Sequence, residues 1–212
     1  MKINYLRKNY IHITSFILEI FLSILAISAQ TISVIPTKVN SKDFGFRDLL
    51  INYDDTLYFV YQDSTFRRHL AKFDGNKILV IQNLNSLDYG FYSFNYIVYH
   101  NCIFSPYLDS LGNFHLAKYD GNSLNLINID NSADEIYDGF LIIFNDKLYF
   151  QYKNTFGKYQ LAQYDGNAVT LFPNPSIDDE GLMFNLIALP VQYKNALYLQ
   201  YRNIKNMGEE GE

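Results

Sequence analysis

The chain has 212 residues, of which 49% are hydrophobic and 18% charged, and a formal net charge of −5. It is too apolar for a disordered segment and long enough for one globular domain with a sizeable core. The acidic balance argues against nucleic acid as a partner, and the single cysteine, Cys102, excludes an internal disulfide or a cysteine-built metal cluster.

At the N-terminus, Lys2, Arg7 and Lys8 precede a mostly apolar stretch over 13–27, interrupted by Glu19, and the small residues Ala26, Ser28 and Ala29 follow. That order predicts a secretory signal peptide over 1–29. The apolar run is shorter than the ~20 residues a spanning helix needs, so no membrane span is expected after cleavage. Removing 1–29 takes away Lys2, Arg7, Lys8 and Glu19 and leaves a formal charge of −7. A secreted or cell-surface location follows.

The mature part, 30–212, is organised by a repeat. Leu70-Ala71-Lys72-Phe73-Asp74-Gly75-Asn76 returns from Leu116 and again from Leu161, at steps of 46 and 45 residues. A period of that size marks a propeller, solenoid or array. Around each copy lie four short apolar runs bounded by turn residues: A, B, C and D over 49–53, 57–61, 69–74 and 77–82. They recur over 95–99, 102–107, 114–120 and 123–129, then over 141–144, 148–152, 159–165 and 168–172. Asp54-Asp55, His100-Asn101 and Asn145-Asp146 between A and B, and Asp-Gly-Asn between C and D, accept the positive φ of tight hairpins. Each repeat is therefore expected to be an antiparallel meander.

The B runs at 57–61 and 148–152 are apolar on nearly every residue, where a strand with one wet face would alternate. Both faces are expected to be covered, as in propeller blades. The stretch 31–36 reads as a lone outer D strand, and a fourth A near 191–193 and a fourth B over 197–201 follow the third repeat. The fold predicted is all-β, a β-propeller-like array of three full four-stranded blades (about 48–93, 94–139 and 140–185) and a partial fourth (186–212). On that count the chain is expected to be the start of a longer protein, the alternative being a four-bladed ring with a defective last blade.

The motifs resemble the repeats of secreted bacterial proteins written Glu-Leu-Trp-x-x-Asp-Gly-Thr, preceded by Leu-Tyr-Phe in strand B. Leu57-Tyr58-Phe59 and Leu148-Tyr149-Phe150 match the second element, and Leu70, Leu116 and Leu161 with the following Asp-Gly pairs match the first. Ala71, Ala117 and Ala162 stand where that family has Trp, and Asn76, Asn122 and Asn167 where it has Thr. Members are commonly described as β-propeller-like and many carry a C-terminal type IX secretion sorting domain, which has no counterpart in the chain. The resemblance implies fold and export, and no particular chemistry.

His69 and His115 occupy the same place in successive repeats, with Gln160 third, so cross-strand packing or hydrogen bonding explains them better than catalysis. His100 lies in an A–B turn with no partner visible in the sequence. Cys102 is aligned with Leu57, Leu148 and Leu197 and is read as a small buried apolar side chain. The crossovers from D to the next A are acidic and emerge at one end of the array. Asp88 and Tyr89, then Asp134, Glu135 and Asp138, then Asp178, Asp179 and Glu180 are the candidate ligand-binding residues. Their carboxylates offer oxygen ligands to Ca²⁺ or a basic partner, although ordinary solvated loops are the plainer reading and no EF-hand spacing is present. Tyr89, Tyr107 and Tyr137, taken as loop tyrosines, are candidates for stacking on sugars. No nucleophile elbow, P-loop, dinucleotide fingerprint or His-Glu-x-x-His occurs. The expected function is a binding, adhesion or structural module for an extracellular protein or glycan. The alternatives are a propeller-scaffold enzyme acting on extracellular glycan or peptide, and a fragment without independent function.

Overall fold

A computed structural model of the chain describes residues 38–92, 95–129, 135–176, 179–182 and 190–202, without the side chains of 49, 135 and 137–139. The expected signal peptide over 1–29 and lone strand over 31–36 lie outside the described residues. The described residues form seventeen strands and no helix.

In repeat 1, β1 (Gly45–Tyr53), β2 (Thr56–Gln62), β3 (Arg68–Phe73) and β4 (Ile78–Ile81) pair antiparallel in that order. Repeat 2 sets β5 (Gly90–Phe91) and β6 (Ile97–Tyr99) against β7 (Cys102–Leu108), followed by β8 (Phe114–Tyr119) and β9 (Leu124–Ile127). Repeat 3 is β10 (Glu135–Phe144), β11 (Lys147–Lys153), β12 (Tyr159–Tyr164) and β13 (Val169–Phe172). Of repeat 4, β14 (Gly181–Leu182), the hairpin β15 (Val191–Tyr193) and β16 (Ala196–Tyr198), and β17 (Tyr201–Arg202) are described. Runs B, C and D fall on these strands. The A strands begin earlier than the sequence predicts, at Gly45, Gly90, Glu135 and Gly181. Register shifts between Phe46 and Leu50 and between Ile136 and Leu141 break the two-residue alternation there, which hides the first part of β1 and β10 from a pattern search.

The turns follow from local chemistry. Asp54 and Asp55, His100 and Asn101, and Asn145 and Asp146 all have φ between 44° and 55°, the backbone of a two-residue hairpin turn. In the C–D turns, Asp74 Oδ1 accepts the N–H groups of Asn76 (2.9 Å) and Lys77 (3.0 Å). Asp120 does the same for Asn122 and Ser123, and Asp165 for Asn167 and Ala168. The glycine in each motif has φ between 95° and 105°. Asp-Gly-Asn therefore recurs as a self-contained Asx turn.

Both faces of repeats 1 and 2 are buried, as the dense B run at 57–61 predicts, whereas repeat 3 buries the face turned to repeat 2 and leaves Tyr149 and Leu161 partly exposed on the other. Tyr58, Val60 and Leu70 of repeat 1 pack with Phe91, Ile103, Tyr107, Ala117 and Tyr119 of repeat 2. Cys102, Phe104 and Leu116 of repeat 2 pack with Leu148, Phe150, Tyr152, Ala162 and Tyr164 of repeat 3. Phe59, Tyr61 and Ala71 cluster on the other face of repeat 1. In the Leu-Ala pair of strand C, Leu70 and Leu116 thus face the following repeat, while Ala117 and Ala162 face the preceding one. Each buried Leu contributes about 1.5–3 kcal/mol, and Ala leaves room for the neighbour's rings. Tyrosine hydroxyls tie adjacent repeats at the turn end: Tyr53 donates to Asn101 O (2.7 Å) and Tyr99 to Asp146 O (2.8 Å). His100 finds its partner there, with Nε2 at 2.9 Å from Asp146 Oδ1.

Two expectations change. The sequence predicts separate blades, but β5 pairs parallel to β3 (Arg68 with Gly90) and antiparallel to β7, so repeats 1 and 2 share one nine-stranded, curled sheet. The second concerns Cys102. Ile103 lies opposite Tyr119 as Leu57 lies opposite Phe73, so Cys102 is the counterpart of Thr56 and Lys147, one residue before the aligned leucines. Its thiol is buried all the same, and burial pushes its pKa up.

Candidate functional site

Strands A and C of a repeat run opposite to B and D, so A–B and C–D turns share one end and B–C turns share the other with the crossovers. The B–C turns open on Asp63, Asp109 and Asn154. Each directs its Oδ1 at backbone N–H groups two and four residues on: Thr65 and Arg67 (2.8 and 3.0 Å), Leu111 and Asn113 (2.8 and 2.9 Å), Phe156 and Lys158 (3.0 and 3.0 Å). His69 and His115 complete two of these clamps, with Nε2 at 3.1 Å from Asp63 Oδ2 and 2.9 Å from Asp109 Oδ2. Their repeated placement serves turn closure, as expected. Burial pushes the Asp63 and Asp109 carboxyls up, but the hydrogen bonds of Thr65 and His69, and of His115 and Asn113, outweigh it and hold both below the ordinary value.

The crossovers are bolted to the ends of the B strands. Tyr61 donates its hydroxyl to Asp43 Oδ2 (2.6 Å), Tyr107 to Asp88 Oδ2 (2.8 Å) and Tyr201 to Asp179 Oδ2 (2.7 Å). The second oxygen of Asp43 accepts from Ser64 N–H (3.1 Å) and that of Asp88 from Ser110 N–H (3.0 Å), so crossover, strand and B–C turn are joined at one carboxylate. Burial first, and then the bonded carboxylate, raise the phenol pKa values, that of Tyr201 to about 12.

Two residues after Asp88 and after Asp179 a glycine is required. A Cβ on Gly90 would meet Arg68 O at 1.8 Å, and one on Gly181 would meet Tyr159 O at 1.8 Å. That approach lets Tyr89 O accept from Arg68 N–H (2.8 Å) and Glu180 O from Tyr159 N–H (3.2 Å), stitching repeat 2 to repeat 1 and repeat 4 to repeat 3.

Asp88 and Asp179 are thus 5% and 2% exposed and committed to tyrosine hydroxyls, so they are parts of the framework and not an open carboxylate rim. Tyr107, taken as a loop residue, is buried in β7 for the same reason. Tyr89 is exposed, and Glu180 is half-exposed and ion-paired with Arg202 at 2.8 Å. Asp134 and Asp178 lie outside the described residues. Glu135 and Asp138 lie on β10 rather than in a loop, and their side chains, like that of Tyr137, are outside the described set. Among the described residues no group of three or more His, Cys, Asp or Glu could hold a metal ion.

What this end does display is apolar, and the sequence reading passed over it. Phe66 (65% exposed), Leu111 (85%) and Phe156 (77%) project from the three B–C turns. The signal available was one bulky apolar residue set among turn formers in each. Phe66 stands at the turn position that Gly112 and Gly157 fill in the other repeats and, like them, has positive φ, 67°. That conformation costs a side chain roughly 1–2 kcal/mol. Its ring lies 4.6 Å from that of Phe44, at an interplanar angle of 35°. Around Phe156 two clefts open. One, of about 290 Å³, is lined by Asn154, Phe156, Lys158, Gln160, Asn174 and neighbours, the other, of about 390 Å³, by Phe156, Lys158, Tyr159, Glu180 and Arg202. An aromatic ring beside amides and paired charges suits a ligand with both apolar and hydroxyl-bearing faces.

Compared with known proteins, the chain matches no protein-family model and no curated protein.

Proposed function

We propose that the chain is a secreted or cell-surface repeat module of propeller type that binds an extracellular glycan or surface protein through its crossover end. The observation that carries this reading is the set of exposed Phe66, Leu111 and Phe156 on identically clamped B–C turns, the last of which also lines the two clefts. Rigid turns that vary only at their tips are suited to recognition, since the framework is held by Asp63, Asp109 and Asn154 whatever the tip residue. Repeats 1 and 2, buried on both faces, support the blade-like arrangement, and the charge and hydropathy order of 1–29 supports export.

Export is tested by fractionation and N-terminal mass spectrometry, with a mature chain starting near Gln30 expected. Protein outside the cytoplasm that retains Met1 would overturn it. Binding is tested on arrays of immobilised glycans and on surface-protein extracts. Alanine at Tyr89, Phe156 and Lys158 is expected to remove binding that Asp54→Ser and Asn145→Ser, at the opposite end, leave intact. Equal effects from both ends would refute the assignment.

A further inference from the structure

Taking the crossover end as the binding face, we propose that Phe44 and Phe66 form a carbohydrate-stacking platform on repeat 1. Phe66 occupies a left-handed backbone position that repeats 2 and 3 give to Gly112 and Gly157. The fold closes the same turn with a glycine in the other two repeats, so it does not need a bulky side chain there, and a strained residue at an exposed site points to function. The ring is not hidden by Phe44: Phe66 is 65% and Phe44 52% exposed after they meet at 4.6 Å.

The surroundings favour a sugar. Thr65 Oγ1 donates to Asp63 Oδ1 (2.8 Å) and accepts from Arg67 Nη1 (2.9 Å), so a hydroxyl and a guanidinium are fixed next to Phe66. A pyranose presents a face of C–H groups to an aromatic ring and equatorial hydroxyls to such neighbours. A stable protein partner needs about 800 Å² from each side, and two rings at about 150–250 Å² each fall short of it. The Asp63 clamp keeps the turn from refolding around its own apolar tip, so the platform is preorganised.

The test is affinity electrophoresis of the full chain in gels containing hydroxyethyl cellulose, a galactomannan or soluble starch, with melting temperatures measured alongside. The wild type is expected to be retarded by at least one polymer. Phe66→Gly is expected to weaken that interaction about five- to tenfold while the melting temperature stays level or rises, and Phe66→Tyr to retain binding. No retardation in any gel overturns the proposal, as does equal retardation of wild type and Phe66→Gly. If Phe156→Ala alone abolishes binding, the sugar sits at the clefts, so the platform falls and the crossover end stands. If the wild type binds and neither variant weakens it, both readings fall.

Discussion

Replacing Tyr107 by Phe isolates the bolt between crossover and strand. The ring, fully buried and edge-on to Phe91 at 5.5 Å, keeps its packing, so only the hydroxyl is lost. With it goes the hydrogen bond to Asp88 Oδ2 at 2.8 Å and the acceptor for Leu84 N–H at 3.0 Å. A hydrogen bond to a charged group contributes about 1.5–3 kcal/mol. Asp88 keeps the N–H groups of Ser110 and Asn85, which limits the damage. The expected loss is about 2–3 kcal/mol, or roughly 5–10 °C in melting temperature for a domain of this size. Urea unfolding followed by circular dichroism should show a lower midpoint at unchanged slope. Tyr89→Phe, on the exposed neighbour, should stay within about 0.5 kcal/mol of wild type. In a double-mutant cycle with Asp88→Asn, the coupling should exceed about 1 kcal/mol. A Tyr107→Phe protein within about 0.5 kcal/mol of wild type would refute the bolt.

Gly90→Ala should yield no soluble folded protein, since its Cβ would lie 1.8 Å from a backbone oxygen, whereas Gly75→Ala, with open space but φ of 95°, should cost only about 1–2 kcal/mol. Comparable yields and melting curves for the two would contradict the stitch between repeats. The carboxyls of Asp63, Asp74, Asp109, Asp120 and Asp165 all have folded values below their unfolded ones. The native state therefore binds fewer protons, and the stability they contribute is complete above the unfolded value of 3.8 and is lost as pH falls through the folded values. Urea midpoints should hold down to about pH 5 and fall below about pH 4, more gently in Asp109→Asn, and a midpoint that rises on acidification would reverse the sign. Cys102, buried and with a raised pKa, should resist a polar alkylating reagent until denaturant is added. Fast labelling of the native protein would show the thiol to be accessible.

The strands and turns of the repeats were legible in the sequence because they depend on near neighbours. Asp-Gly-Asn closes its own turn through Asp74, Asp120 and Asp165, and the apolar density of β2 already implied two covered faces. The fate of the crossovers was not legible, because a polar residue between strands reads the same whether water or a distant tyrosine satisfies it. Only the packing of β7 beneath the crossover shows that Asp88 is bound to Tyr107, and only the approach of β5 to β3 shows why Gly90 must lack a side chain. Asp146, 46 residues from His100, becomes its partner by the same long-range logic. Tertiary structure also separated the acidic residues that hold the framework from Phe66, Leu111 and Phe156, which the clamped turns keep in water. Local chemistry thus fixed the repeating element, while which side chains remain on offer to a partner was decided by the bonds that join one repeat to the next.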